Sequence, residues 1–165
     1  ALDEKEGEKM TQANIEKIRI TPHKCRPNRL RKKINPVEIN KMADDVWLVE
    51  MGTTINGWME FKLPEMEAGQ EIMLEYSDHF NDAGEIADMG QKDIYITSGQ
   101  PDELFRNKFN YHSFRYVRIS NLSYKPEPED LTAYLFYPDF RNTSSFECSD
   151  PDINAIHDMI QYTFQ

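Results

Sequence analysis

The run FNYHSFRYVRI, Phe109 to Ile119, holds four aromatic residues, a histidine and two arginines. A strand with one wet face alternates apolar and polar side chains. Here Phe109, Tyr111 and Val117 fall on one parity while Phe114 and Tyr116 fall on the other. The run therefore reads as a central strand needing cover on both sides. One face is apolar, for a core, and the other is aromatic and basic, for a neighbour.

Working outward, the same short β writing fills the stretch from about Val46 to Tyr137. WMEFKL alternates Met59, Phe61 and Leu63 against Trp58, Glu60 and Lys62, and EIMLEY alternates Ile72, Leu74 and Tyr76. DIYIT and TAYLFY continue the series. Between them EAGQ, NDAG, SGQPD and KPEPED are turn compositions: glycine for positive φ, proline for fixed φ, Asn and Asp for side-chain-closed turns. Several short strands with no amphipathic helix between them predict a mainly β chain, an antiparallel β-sandwich of jelly-roll type.

Two other zones flank this one. Residues 1–45 are polar, with a weak helical pattern around Met10, Ile15 and Ile18 and then Pro22, Pro27 and Pro36, which forbid a long helix. They read as a linker or the end of a preceding domain, with the sandwich over 46–145. At the other end, Asp150 before Pro151 is a helix start, a capping acceptor followed by a residue whose missing N–H costs nothing at the first helical position. Ile153, Ile156, Ile160 and Phe164 recur at helical spacing, and no stop signal precedes Gln165. Residues 146–165 are expected to begin a helical domain that continues beyond them.

Composition narrows the function classes. A net charge of −10 argues against nucleic acid as the main partner, because a polyanion binder needs the opposite field. One segment departs from this. Lys17, Arg19, Lys24, Arg26, Arg29, Arg31, Lys32, Lys33 and Lys41 stand against Glu16 and Glu38 alone, a pattern that grips an anionic polymer or packs on an acidic body or neighbouring domain. No apolar run approaches the roughly 20 residues of a membrane span, so no membrane partner is expected. The chain opens on Ala1 rather than methionine, which leaves its compartment open. Cys25 and Cys148 are far apart and lack metal-site spacing, which leaves at most a single bridge and no cofactor or metal expectation.

In order and spacing, INGWMEFKL, EIMLEYSD, KDIYITSG, FNYHSFRYVRI and SFECSDPDIN together resemble the concanavalin-like β-sandwich domain of bacterial α-L-rhamnosidases, with the first helix of their catalytic domain. The likeness covers about Val46 to Gln165. Where the family usually reads His-Gly-Phe-Arg-Tyr, this chain has Ser113 in place of the glycine, a departure that bears on local backbone geometry. The resemblance implies a glycoside hydrolase that removes terminal α-L-rhamnose from rhamnosylated glycosides or plant polysaccharides with inversion. Its acid and base sit on an (α/α)6 catalytic domain of the same polypeptide, outside this segment, so no catalytic residue is expected here. Export to the periplasm or the exterior fits the resemblance.

The candidate carbohydrate-binding residues are His112, Arg115, Tyr116 and Trp58, since aromatic faces and forked donors suit sugar rings. The alternative for each is structural: Arg115 satisfying a carboxylate at a domain seam, and the aromatics packing, with Trp47 as another such residue. NDAG, Asn81 to Gly84, has oxygen-rich chemistry but lacks the ligand alternation of a calcium loop and reads as a hairpin turn. Asp93 and Glu103 form a conceivable acid pair on a surface rich in carboxylates. A sandwich domain without catalysis and a carbohydrate-binding module with its own site both follow from these residues.

Overall fold

The computed structural model describes residues 20–139 and 143–164. The helical pattern around Met10, Ile15 and Ile18 lies outside the described residues. The elements are β1 (Asn28–Ile34), β2 (Glu38–Ala43), β3 (Val46–Leu63), β4 (Glu71–Ser77), β5 (Gln91–Ile96), β6 (Glu103–Arg106), β7 (His112–Ser120), β8 (Leu131–Pro138) and a C-terminal helix α1 (Pro151–Thr163). All strand pairings are antiparallel, in the order β1-β8-β3-β7-β4-β5, with β2 and β6 also on β3.

β3 organises the fold. Eighteen residues in one straight strand would run about 60 Å, longer than a domain of this size is wide. The strand therefore kinks. Glu50 sits opposite Tyr116 and Ile55 opposite Phe114, so Met51 to Thr54 face the single residue Arg115. Gly52 at φ +73° makes the bend, where a β-carbon would lie 2.9 Å from Val37 Cγ1. Before the kink β3 pairs with β2 and after it with β8 and β6, while β7 pairs with it on both sides. The expected sandwich layers are thus two halves of one sheet curled through β3, rather than separate sheets.

Along β3, Trp47, Val49, Met51, Ile55, Met59, Phe61 and Leu63 all point into one apolar core. There they meet Ile72, Leu74 and Tyr76 of β4, Phe114, Val117 and Ile119 of β7, and Leu131, Ala133 and Leu135 of β8. The Trp47 indole N–H donates to the Leu122 carbonyl at 2.9 Å, which satisfies its one polar atom in that core.

The opening run is central, between β3 and β4, but its two-sided pattern has a different cause from the one its parity implied. Phe109 lies outside β7 and is fully exposed, and Tyr111 is half exposed. Within β7, His112 and Phe114 are buried on one parity, and Val117 and Ile119 on the other. The switch falls at Arg115 and Tyr116, opposite the β3 kink. One inward face changes parity across an irregular register; the strand does not have two apolar faces.

Residues 28–43, ahead of the sandwich start expected at 46, supply β1 and β2 to the same sheet. Asp44 and Asp45 form the two-residue turn into β3, with Asp45 at φ +57°. Asn81 to Gly84 closes a tight turn through Gly84 N–H to the Asn81 carbonyl at 2.9 Å, with Asn81 Oδ1 accepting from Ala83 and Glu85. At α1, Asp150 caps the helix by accepting from the N–H groups of Asp152 and Ile153, and Pro151 takes the first helical position. Cys25 and Cys148 are free thiols.

Candidate functional site

The four sequence-chosen residues do not converge. His112 goes inward, Arg115 and Tyr116 go outward, and Trp58 stands on the other half of the curled sheet.

His112, 7% exposed, stacks on Tyr76 with ring centroids 4.2 Å apart. Its Nε2 meets Asp93 Oδ2 at 3.0 Å. Asn107 holds the same carboxylate oxygen through its Nδ2 at 2.6 Å, while Asn107 Oδ1 accepts from the Met59 backbone N–H. Asn110 adds a 3.3 Å bond from its Nδ2 to Asp93 Oδ1. Burial alone would raise the Asp93 carboxyl; hydrogen bonds from His112 and Asn107, with a weaker pull from the nearby Tyr76 hydroxyl, outweigh it and hold the group at about 2. Among the described residues the Tyr76 hydroxyl is buried with no partner at hydrogen-bonding geometry, and burial next to Asp93 pushes it well above the usual phenol range. An aspartate kept ionised this way accepts hydrogen bonds and does not deliver a proton at neutral pH. Glu103 stands apart from Asp93, engaged by the Ser98 hydroxyl and by its N–H. The Ser98 hydroxyl holds its carboxyl below the usual range.

Arg115 and Tyr116 lie on the outer face. Arg115 pairs with Glu50 across the β3–β7 ladder and sits 5.3 Å from the Tyr116 ring centroid, and Phe80 packs on the same ring at 4.5 Å. The hydrogen bond to Glu50 raises the arginine further above its ordinary value. Arg118 with Glu75, and Arg106 with Glu60, repeat the pattern. Ser113, in place of the family's glycine, takes ordinary strand backbone, its N–H donating to Gln91 Oε1 and its carbonyl accepting from Gln91 Nε2.

Trp58 lies in mid-strand, stacked on Phe136 at 5.2 Å, and Tyr111 completes the group at 5.6 Å from Phe136. Beside it, Tyr134 sits under Lys33 at 5.5 Å and Arg106 at 5.9 Å. Gly57 lets β8 approach here: a β-carbon on it would fall 1.8 Å from the Tyr134 carbonyl oxygen. A cleft of about 530 Å³ lined by Lys62, Leu63, Leu104, Tyr124 and Lys125 is separate from all four candidates. Among the described residues no three His, Cys, Asp or Glu side chains gather as a metal site.

Sequence reasoning missed Asn107, Asn110 and Phe136. The first two carried a signal: Asn107-x-x-Asn110-x-His112 packs three short polar side chains just ahead of a strand whose interior is apolar.

Tyr162 ties α1 to the β3 kink. The Tyr162 hydroxyl donates to the Thr54 carbonyl at 2.7 Å and lies 3.2 Å from the Thr53 hydroxyl. Ile153, Ile156, Met159, Ile160 and Phe164 stay exposed.

Comparison with known proteins places this geometry. The sequence profile of the bacterial alpha-L-rhamnosidase concanavalin-like domain matches residues 40–137. An α-L-rhamnosidase of Formosa agariphila is 32% identical over 137 residues, which cover 78% of this chain and 14% of that protein. The solved α-L-rhamnosidase of Dictyoglumus thermophilum superposes with a TM-score of 0.73 at 28% identity, over 80% of this chain and 16% of that one. The Streptomyces avermitilis α-L-rhamnosidase, solved in complex with L-rhamnose, shares the fold with a TM-score of 0.75 at 23% identity, over 84% of this chain and 14% of that one. The chain thus spans about 14% of the length of the first curated relatives it matches.

Proposed function

The chain belongs to the concanavalin-like domain family of bacterial α-L-rhamnosidases, and on that premise we propose that it is the non-catalytic sandwich of a longer rhamnosidase. In this reading residues 146–165 begin a helical catalytic domain that packs on the sheet. The longer enzyme removes terminal α-L-rhamnose from glycosides with inversion, using an acid and a base that stand roughly 6.5–9.5 Å apart to admit water. Both carboxylates lie in that helical domain.

The observation that carries the reading is α1. A helix capped by Asp150 and pinned by Tyr162 presents five large apolar side chains to solvent, and burying such a stripe is what stabilises a surface helix. A second reading, a carbohydrate-binding module, is favoured by the Trp58, Phe136 and Tyr111 group, and it makes Trp58 a contact residue in place of the dispersed His112, Arg115 and Tyr116.

The test is kinetic. Ile156→Asp with Ile160→Asp in the longer enzyme is expected to lower turnover of an aryl α-L-rhamnoside and to split unfolding into two steps. Unchanged kcat/KM with a single transition, or turnover by these 165 residues alone, would sink the proposal.

A further inference from the structure

We propose that β1 and the aromatic face beside it form a binding strip for an anionic polysaccharide, one bearing carboxylates along a sugar chain. Residues 20–37 carry six Lys and Arg and no Asp or Glu. With a net −10 for the whole chain, the remainder carries −16. β1 pairs with β8, yet among the described residues the cations of this segment stay exposed and do not pack on the acidic body. β1 is an edge strand of the sheet, and Lys24, Arg26, Arg29, Arg31, Lys32 and Lys33 are all exposed. Among the described residues Asp139 alone answers them, pairing with Arg31 and accepting from Arg26 through its carbonyl. Among the described residues Lys24, Arg29 and Lys32 meet no carboxylate.

The aromatic component is set by register. Lys33 lies opposite Tyr134, and Tyr134 opposite Trp58, so one row crosses β1, β8 and β3 over about 10 Å. On the core-facing parity of β8, Arg31 lies 5.7 Å from the ring centroid of Tyr137, which packs against the core and is not part of that row. Aromatic faces offer contact to sugar C–H surfaces, and the unpaired cations on the rim offer contact to carboxylates. Nucleic acid fits less well: at one charge per about 1.7 Å of duplex axis, it would bring far more charge against the −16 body than a chain with one carboxylate per sugar. The choice of a sugar polymer rests on the rhamnosidase reading; the binding surface itself does not.

The test titrates the 165-residue chain with an oligogalacturonate, a neutral dextran oligomer and an oligothymidylate, at low salt and at about 150 mM. The expected result is saturable oligogalacturonate binding that falls with salt, with no dextran binding. Arg29→Gln, Lys32→Gln and Lys33→Gln together should weaken it at least about tenfold. Lys62→Gln, Lys92→Gln and Lys125→Gln, which remove equal charge elsewhere, should change it less than about twofold, with circular dichroism confirming that both triples fold. Equal loss in the two triples, absence of binding at low salt, or tighter capture of oligothymidylate would each overturn the proposal. Rhamnoside turnover, measured separately, reports on the scaffold reading and leaves this one untouched.

Discussion

Asp93 is the residue on which the buried polar cluster depends, since it accepts from His112, Asn107 and Asn110 at once. Folding lowers its carboxyl from 3.8 to about 2, so the fold favours the ionised form. Its contribution is complete above the unfolded value and is lost as pH falls through that value toward about 2. Asp93→Asn should therefore cost about 1–3 kcal/mol near neutrality, by leaving buried donors unmatched. The gap between variant and parent should close on acidification from pH 4 to pH 2, as read by urea unfolding at each pH. A gap that stays constant would show that Asp93 is protonated or unengaged throughout. The same cluster marks where the candidate site stopped being legible in the sequence. His112, Arg115 and Tyr116 are neighbours in the chain, and strict alternation puts Tyr116 with His112 and Phe114. The irregular register opposite the β3 kink sends Tyr116 outward instead, and such irregularity depends on partner strands that no local pattern contains. Trp58 was visible as an aromatic between a glycine and an apolar alternation, but its partner Phe136 comes from a strand far away in sequence.

β3 and α1 show two ways an element is held. Gly57 is a packing requirement: with 1.8 Å between a would-be β-carbon and the Tyr134 carbonyl, β8 must move or the ladder must break. Gly57→Ala should destabilise by about 3 kcal/mol or more in denaturant unfolding. Gly84→Ala, in open space at φ +77°, should cost only about 1 kcal/mol of backbone strain. Equal losses would mean that close approach at Gly57 is relieved cheaply. α1, by contrast, hangs on Tyr162. Tyr162→Phe removes both hydroxyl contacts, so amide exchange along Pro151–Thr163 should speed up while β3 and β7 stay protected. Unchanged exchange in the helix would show that something other than Tyr162 retains it. At this scale the sequence was informative where the structure is local. The alternations in WMEFKL and EIMLEY, the turns between them and the Asp150–Pro151 start all appear as read. β1 and β2 were hidden, because their side chains are nearly all exposed and an edge strand with six neighbouring cations carries no apolar alternation. The length of β3 was hidden too, since a single strand carrying a glycine bend gives no continuous alternation.

Charge and apolar surface oppose each other across the whole molecule. A net −10 keeps copies apart at low ionic strength, but at about 0.15 M salt that repulsion is screened beyond about 8 Å. Contact is then decided by apolar area. Among the described residues, two groupings stand out: Ile94 and Ile96 on the edge strand β5, and the α1 stripe of Ile153, Ile156, Met159, Ile160 and Phe164. An exposed edge with two isoleucines invites pairing, yet the helix offers more than twice as many large side chains. The isolated chain should therefore self-associate as salt rises, and mainly through α1. Burying a large apolar side chain contributes about 1.5–3 kcal/mol, and these are half exposed, so Ile156→Asp with Ile160→Asp should remove about 3 kcal/mol. That is about a hundredfold in the dimer dissociation constant by sedimentation equilibrium. Ile94→Lys with Ile96→Lys should have a smaller effect. If the β5 pair instead abolishes association and the α1 pair leaves it intact, the sheet edge is the dominant contact surface. The helix stripe would then no longer explain what this fold leaves uncovered.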